Sequence, residues 1–145
     1  MTKHQRQIDA LANSVLVYAI NAFSEEFPND TDEDFEFFYP MDHFIKGGEK
    51  MDNFDWATAV FDMDVKALEN ADIVVAVYDK HYSDSGTAWE LGYAYGLGIP
   101  VLLLCTDLNA DNSIMPILAA TRLYDFNKFV NQEYFDVKNT LNTLK

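Results

Sequence analysis

Two carboxylates have neighbours that suggest chemistry. Asp64 lies in the middle of the apolar stripe of a predicted helix, residues 54–70. A carboxylate on a buried face is costly unless it is paired or hydrogen-bonded. Asp64 is therefore either the acceptor of a structural hydrogen bond or an acid that faces a pocket, with a raised pKa suited to proton transfer.

Glu90 is the second carboxylate, and it lies near the start of a predicted helix, residues 87–97. Thr87 and Glu90 have the spacing of a capping box, in which the glutamate accepts a hydrogen bond from a backbone amide. The alternative is that Glu90 faces a ligand and takes part in a reaction. The residues alone leave these two interpretations open.

Other reactive residue types do not form a recognisable centre. Asp79, His81 and Asp84 follow a predicted strand and could bind a metal, but short loops of this composition are usually only solvated. The acidic run 30–34 lacks the glycine and the closing glutamate of a calcium loop. Cys105 is predicted to be a small buried hydrophobe rather than a nucleophile. We therefore predict neither a metal nor an organic cofactor.

Predicted strands and helices alternate along the chain, which is typical of an α/β sandwich with a mostly parallel sheet. Strands are predicted at residues 35–39, 73–78, 101–105 and 123–126, and helices at residues 8–23, 54–70, 87–97, around Pro116 and at 128–144. The strand 73–78 is expected to be buried on both faces. Expected anchors of the last helix are Phe129, Tyr134, Phe135 and Val137. Ligands in such folds bind at the carboxyl ends of the strands, so the candidate loops are 40–53, 79–87 and 106–113.

Length and charge exclude several classes of protein. The 145 residues suit a single domain, and 24 acidic residues against 10 basic ones give a net charge of −14. Such a surface repels phosphate backbones and anionic lipids, so nucleic acid and membrane surfaces are unexpected partners. No apolar run is long enough to span a membrane, and no signal peptide is recognisable. We expect a soluble, intracellular and cytoplasmic domain.

Several segments together resemble the nucleoside 2-deoxyribosyltransferase family. They are PMDHFIKGG at 40–48, WATAVFDMD at 56–64, IVVAVYD at 73–79 and DSGTAWELGYAYGLGIPVLLL at 84–104. The resemblance implies a flavodoxin-like three-layer fold and oligomers built from dimers. It also implies transfer of 2-deoxyribose from a 2′-deoxynucleoside to a free nucleobase. Both partners are small molecules, and the reaction needs no cofactor.

The resemblance implies roles for individual residues. Glu90 matches the nucleophile that forms a covalent deoxyribosyl intermediate, Asp84 matches the acid that binds the sugar hydroxyls, and Asp64 matches the acid near the reaction centre. Asn112 is the expected residue that reaches into a neighbouring subunit's site, with Ser113 as the alternative.

The side of the site that recognises the base is less well defined by the resemblance. The position of the family's base-recognising amide is occupied by Phe44, which leaves Asp42 and His43 as the nearest polar candidates. One or two aromatic side chains are expected to stack on a base. The candidates are Phe38, Tyr39, Phe44, Trp56 and Trp89.

Other functions remain as alternatives. They are an N-glycoside hydrolase of deoxynucleosides or their 5′-monophosphates, a receiver-like module using Asp79 and Thr106, and an inactive binding protein. Family members begin with a strand that has no counterpart in this sequence. We therefore expect either that Met1 is internal to a longer chain or that the strands 35–39 and 73–78 pair directly. A capping box at Thr2 and Gln5 favours the first expectation.

Overall fold

The computed structural model describes residues 38–39, 43–79, 85–109 and 113–138. The described elements alternate between helix and strand, as the sequence predicts. The helices are α1 (Asn53–Glu69), α2 (Ser85–Gly96), α3 (Ile114–Ala119) and α4 (Phe126–Val130). The strands are β1 (Val74–Tyr78), β2 (Val101–Cys105) and β3 (Arg122–Asp125), and a 3₁₀ turn covers Gly48–Lys50.

The three described strands form one parallel sheet in the order β1-β2-β3. Val74 pairs with Val101 and Leu102 pairs with Arg122, which fixes the register across the sheet. Every residue of β2 is buried, as expected for a central strand covered on both faces. The same expectation is wrong for β1, where Val77 is 46% exposed. Among the described residues β1 pairs only with β2, so it forms an edge of this sheet.

Side chains from both faces of the sheet are buried under helices, which makes the architecture an α/β sandwich. Buried residues on one side come from the sheet, α2 and α3: Tyr78, Leu91, Ala94, Val101, Leu103, Cys105, Ile117, Ala120 and Leu123. On the other side they are Leu102, Leu104, Tyr124 and Phe129. Cys105 is buried as predicted, and this burial raises the pKa of its thiol. Among the described helices, none has the length and apolar character of a membrane span.

The end of α2 shows how the sequence places the next strand. Gly98 adopts a positive φ of 74°, and its N–H donates to the carbonyl of Tyr95. The N–H of Ile99 donates to the carbonyl of Ala94, which completes a Schellman motif. The predicted stop at Gly98 and Pro100 is confirmed, and the chain enters β2 directly at Val101.

The predicted helix at 128–144 is confirmed only at residues 128–130; of the rest that the structure describes, residues 131–137 are not helical. Asp125 caps α4 by accepting from the Lys128 N–H, so the helix begins at Phe126, and it ends at Val130. Gln132 has a φ of 65°, which is incompatible with continuing the helix. Phe129 is buried as predicted, whereas Phe135 is exposed.

A short extended segment after α4 forms hydrogen bonds with β3 instead. Val137 donates its N–H to the Leu123 carbonyl at 2.8 Å. The Leu123 N–H donates to Asp136 Oδ1 at 3.0 Å, and the Lys138 N–H donates to the same oxygen at 3.0 Å. The Lys138 ammonium group donates to the Leu118 and Ala120 carbonyls near the end of α3. This non-local pairing explains why an apparently helical pattern is extended.

We expect Asp136→Ala to lower the free energy of unfolding by about 1.5–3 kcal/mol, because two backbone donors lose a charged acceptor. Asp136→Asn keeps an acceptor oxygen at the same place, so its free energy of unfolding should fall clearly less than that of Asp136→Ala. Urea denaturation of both variants measures the difference. Equal losses, or no loss in either variant, would contradict this account of the β3 edge.

Three other predicted features lie mainly outside the described residues. The helix at 8–23 with its capping box and the acidic run 30–34 are wholly outside them. Of the predicted strand 35–39, only Phe38 and Tyr39 are described, and neither is in a strand.

Candidate active site

A cleft of about 240 Å³ lies between α1 and α2. Its lining residues are Phe61, Asp64, Val65, Leu68, Gly86, Trp89 and Glu90. The four residues from α1 and the three from α2 each follow the three- and four-residue spacing that places side chains on one helix face. The α2 residues lie in the first two turns after the β1–α2 connection. Of the three candidate loops, as far as the structure describes them, only 79–87 contributes a lining residue, Gly86.

Asp64 and Glu90 face this cleft together, although they are 26 positions apart in the sequence. The helix α1 presents Asp64 and the helix α2 presents Glu90. The remaining lining residues are apolar or glycine. The arrangement therefore holds two carboxyl groups from different helices in otherwise apolar surroundings, where electrostatic interactions are stronger than in water.

One oxygen of Asp64 lacks a hydrogen bond that would explain its position, as far as the described residues show. Its Oδ1 atom is shielded from solvent and, within the described residues, accepts no hydrogen bond. Burial raises the pKa of Asp64 above its ordinary value, and the charge of nearby His43 acts in the opposite direction. An unpartnered oxygen and a raised pKa are features that an acid facing a pocket would have.

Glu90 does not have the capping role that its spacing with Thr87 suggested. The helix α2 begins at Ser85, so Thr87 lies inside its first turn rather than at the N-cap position. The capping-box interpretation is therefore wrong. Glu90 is half-buried in the second turn, where it lines the cleft.

The residues predicted to recognise the base are placed differently from one another. His43 stacks on Phe38, with ring centroids 4.3 Å apart, and its charge lowers the pKa of Asp64, although His43 does not line the cleft. Phe44 is 90% exposed and does not line the cleft. Trp56 packs over Gly48, where an added Cβ atom would lie 3.0 Å from Trp56 Cδ1. Trp56 thus contacts the 40–53 loop and does not line this cleft.

Three predicted site residues, Asp42, Asp84 and Asn112, lie outside the described residues. His81 also lies outside the described residues. Of the three candidate metal ligands Asp79, His81 and Asp84, the structure therefore describes only Asp79. Within the described ranges, no three acidic, histidine or cysteine side chains converge as metal ligands.

Phe61 is a cleft residue that the sequence analysis did not single out. Its apolar character and its place on the stripe of α1 favoured burial, but it is 53% exposed. A signal was present in its spacing, because Phe61 precedes the suspected acid Asp64 by three residues and so shares its face. Residues on the face of a functional carboxylate are candidates for the wall of its pocket.

Comparisons with known proteins bear on the family of this chain. The family model described as nucleoside 2-deoxyribosyltransferase matches residues 22–132. A nucleoside deoxyribosyltransferase of Lactobacillus leichmannii is 30% identical over 113 residues, covering 68% of this chain and 71% of that protein. Another, from Lactobacillus johnsonii, is 34% identical over 86 residues, covering 51% of this chain and 56% of that protein.

A solved structure supports the same conclusion at the level of the fold. The 2-deoxyribosyltransferase from Bacillus psychrosaccharolyticus superposes with a TM-score of 0.59 at 25% identity, covering 92% of this chain and 86% of that chain. The α/β sandwich, the parallel sheet and the sequence match point to one assignment: the chain belongs to the nucleoside 2-deoxyribosyltransferase family and to its enzyme class.

Proposed function

We propose that this protein transfers 2-deoxyribose between nucleobases, with Glu90 as the nucleophile and Asp64 as the acid and base. The observation that carries the proposal is that both of these residues line one largely apolar cleft. Pairs of titratable groups in different environments are a common basis for dividing acid and nucleophile roles. The raised pKa of Asp64 suits the proton donor, and Glu90 takes the other role.

In the first step, a carboxylate oxygen of Glu90 attacks C1′ of the deoxynucleoside. The bond between C1′ and the base nitrogen breaks, and its electron pair stays on that nitrogen. Asp64 donates its proton to the departing base, which leaves neutral, while Asp64 becomes a carboxylate. The sugar is then held as an ester on Glu90, so one difficult displacement becomes two easier ones.

In the second step, a ring nitrogen of the incoming base attacks C1′, and the ester bond to Glu90 breaks. The incoming base gives up its N–H proton to Asp64, which restores the starting state of both carboxyl groups. Two displacements at C1′ return the configuration of the original nucleoside. The cycle balances without any metal or organic cofactor.

The remaining site residues are proposed from the family resemblance. Asp84 binds the sugar hydroxyls, and Asp42 and His43 contact the base. Phe44 and Trp56 do not line the cleft between α1 and α2, so they would contact the base from the side of the 40–53 loop. Asn112 contributes to the site of a neighbouring subunit, which requires a homo-oligomer. The electrostatic effect of His43 on Asp64 supports the proposed role of His43. We also propose a cytoplasmic role in nucleoside salvage, where free bases and nucleosides meet.

The test is incubation of the protein with thymidine and adenine, with the products separated by chromatography. Transfer predicts thymine and deoxyadenosine in equal amounts, and omission of adenine should remove the deoxyadenosine. Thymine with free deoxyribose alone would identify a hydrolase. An absence of all products from the folded protein would contradict the proposal and favour an inactive binding protein.

A further inference from the structure

A continuous row of aromatic rings runs from the cleft along α2. Phe61 and Trp89 both line the cleft, and their ring centroids are 5.5 Å apart at an angle of 56°. Trp89 stacks on Tyr93 with the centroids 5.2 Å apart and the rings nearly parallel, at 15°. We call Phe61, Trp89 and Tyr93 the aromatic wall.

The far end of the aromatic wall is fixed to the other helix of the cleft. The Tyr93 hydroxyl donates to Glu69 Oε1 at 2.6 Å, which is short and typical of a bond to a charged acceptor. This bond raises the pKa of Tyr93, so the hydroxyl stays a donor as the pH rises above neutral. Glu69 is the last residue of α1, so the bond joins the helices that carry Asp64 and Glu90.

The aromatic wall is not simply part of the core. Trp89 is 49% exposed and Phe61 is 53% exposed, and both lie beside the carboxyl groups rather than under the sheet. Tyr93 covers one face of the indole, which leaves part of Trp89 open to a flat ligand. Bases of any sequence stack on such exposed rings, because every base has an aromatic face.

We propose that the aromatic wall holds the acceptor nucleobase beside Glu90, with Trp89 as the contact surface and the Tyr93–Glu69 bond as its positioning brace. The inference rests on the function proposed above. Once the sugar is bound to Glu90, either a base nitrogen or a water oxygen can attack C1′ and pass its proton to Asp64. The base gives a new nucleoside, whereas water gives free deoxyribose. A stacked base competes better with water, so the wall controls the ratio of transfer to hydrolysis.

The first test is the ratio of free deoxyribose to deoxyadenosine formed from thymidine and adenine. For Trp89→Leu we expect this ratio and the KM for adenine to rise about five- to a hundredfold, which corresponds to the loss of one base–aromatic stack. Tyr93→Phe should shift both in the same direction by a smaller factor. Glu69→Gln keeps an acceptor and should have less effect than Glu69→Ala.

Tyr95→Phe is the matched control for Tyr93→Phe. Tyr95 is on the same helix but lines a different cavity, between α2 and α3, so removal of its hydroxyl should leave the ratio unchanged. If Tyr93 is merely structural, Tyr93→Phe will lower the melting temperature without changing the ratio. That result would contradict the proposed positioning role of the Tyr93–Glu69 bond. Because Trp89 is half exposed, we expect Trp89→Leu to fold. If that variant does not fold, the product ratio of Tyr93→Phe tests the inference.

Calorimetric titration with adenine separates this inference from the proposed function. Binding by the wild-type protein and its loss in Trp89→Leu would support the wall even if no sugar is transferred. In that case only the proposed function would fail. Equal adenine affinity in the wild type and Trp89→Leu, or an unchanged product ratio in an active enzyme, would show that the inference is wrong.

Discussion

Glu90→Ala is expected to abolish deoxyribosyl transfer, with a loss of about 10⁴-fold or more, while the chain stays folded. The size of the loss follows from the proposed role, because without the carboxylate no ester can form at C1′ and the two-step route is closed. The fold should tolerate the change because Glu90 is only half-buried and does not cap α2. We expect a change in the free energy of unfolding of about 1 kcal/mol.

Intact-mass spectrometry tests the covalent step directly. Wild-type protein incubated with thymidine and no acceptor should gain the mass of one deoxyribosyl group, and Glu90→Gln should not. Glu133→Gln is a suitable control, because Glu133 is an exposed glutamate outside the cleft. Normal turnover per folded molecule of Glu90→Ala, or an adduct that survives in Glu90→Gln, would rule out Glu90 as the nucleophile.

The elements that local sequence fixes were predicted well. The run Val101–Cys105 is continuously apolar, and β2 has these bounds because a central strand is buried on both faces. Gly98 ends α2 through its positive φ, a property of one residue that needs no knowledge of the rest of the fold. Asp64 was singled out because a carboxylate on an apolar helix face is costly wherever that helix packs.

The features that depend on distant partners could not be predicted in this way. The segment around Asp136 is extended because the Leu123 N–H in β3 donates a hydrogen bond to Asp136. The local sequence pattern contains no sign of this distant partner. Trp56 contacts Gly48 in the loop rather than lining the cleft, and only the packed structure shows it. The brace between Glu69 and Tyr93 joins residues 24 positions apart and was missed for the same reason.

Asp64→Asn is expected to slow cleavage of natural deoxynucleosides about 10²- to 10⁴-fold, the usual contribution of a positioned general acid. The asparagine side chain keeps the size of Asp64 but has no acidic proton for the departing base. Steady-state rates with thymidine measure the loss. The defect should shrink for a deoxyriboside with a nitrophenolate leaving group, because that group departs without protonation. Asp62→Asn, an exposed position on the same helix, should behave as the wild type does.

The raised pKa of Asp64 predicts a pH dependence of stability and turnover in the wild-type protein that Asp64→Asn should lack. The folded protein holds this proton more tightly than the unfolded chain, so the stability linked to it is fully present below the unfolded pKa. That stability is lost as the pH rises through the folded pKa. First-step turnover should fall over the same upper range, because the donor proton is lost. Asp64→Asn cannot ionise, so it should gain stability relative to the wild type as the pH rises.

A purely structural Asp64 would give the opposite pattern. Asp64→Asn would then lower the melting temperature more than the turnover, and its rate defect would be the same for both leaving groups. Melting curves and rates on a single preparation, measured across the pH range, distinguish the two cases. The shielded Oδ1 without a hydrogen bond among the described residues favours the acid, because a structural acceptor would be expected to have a donor.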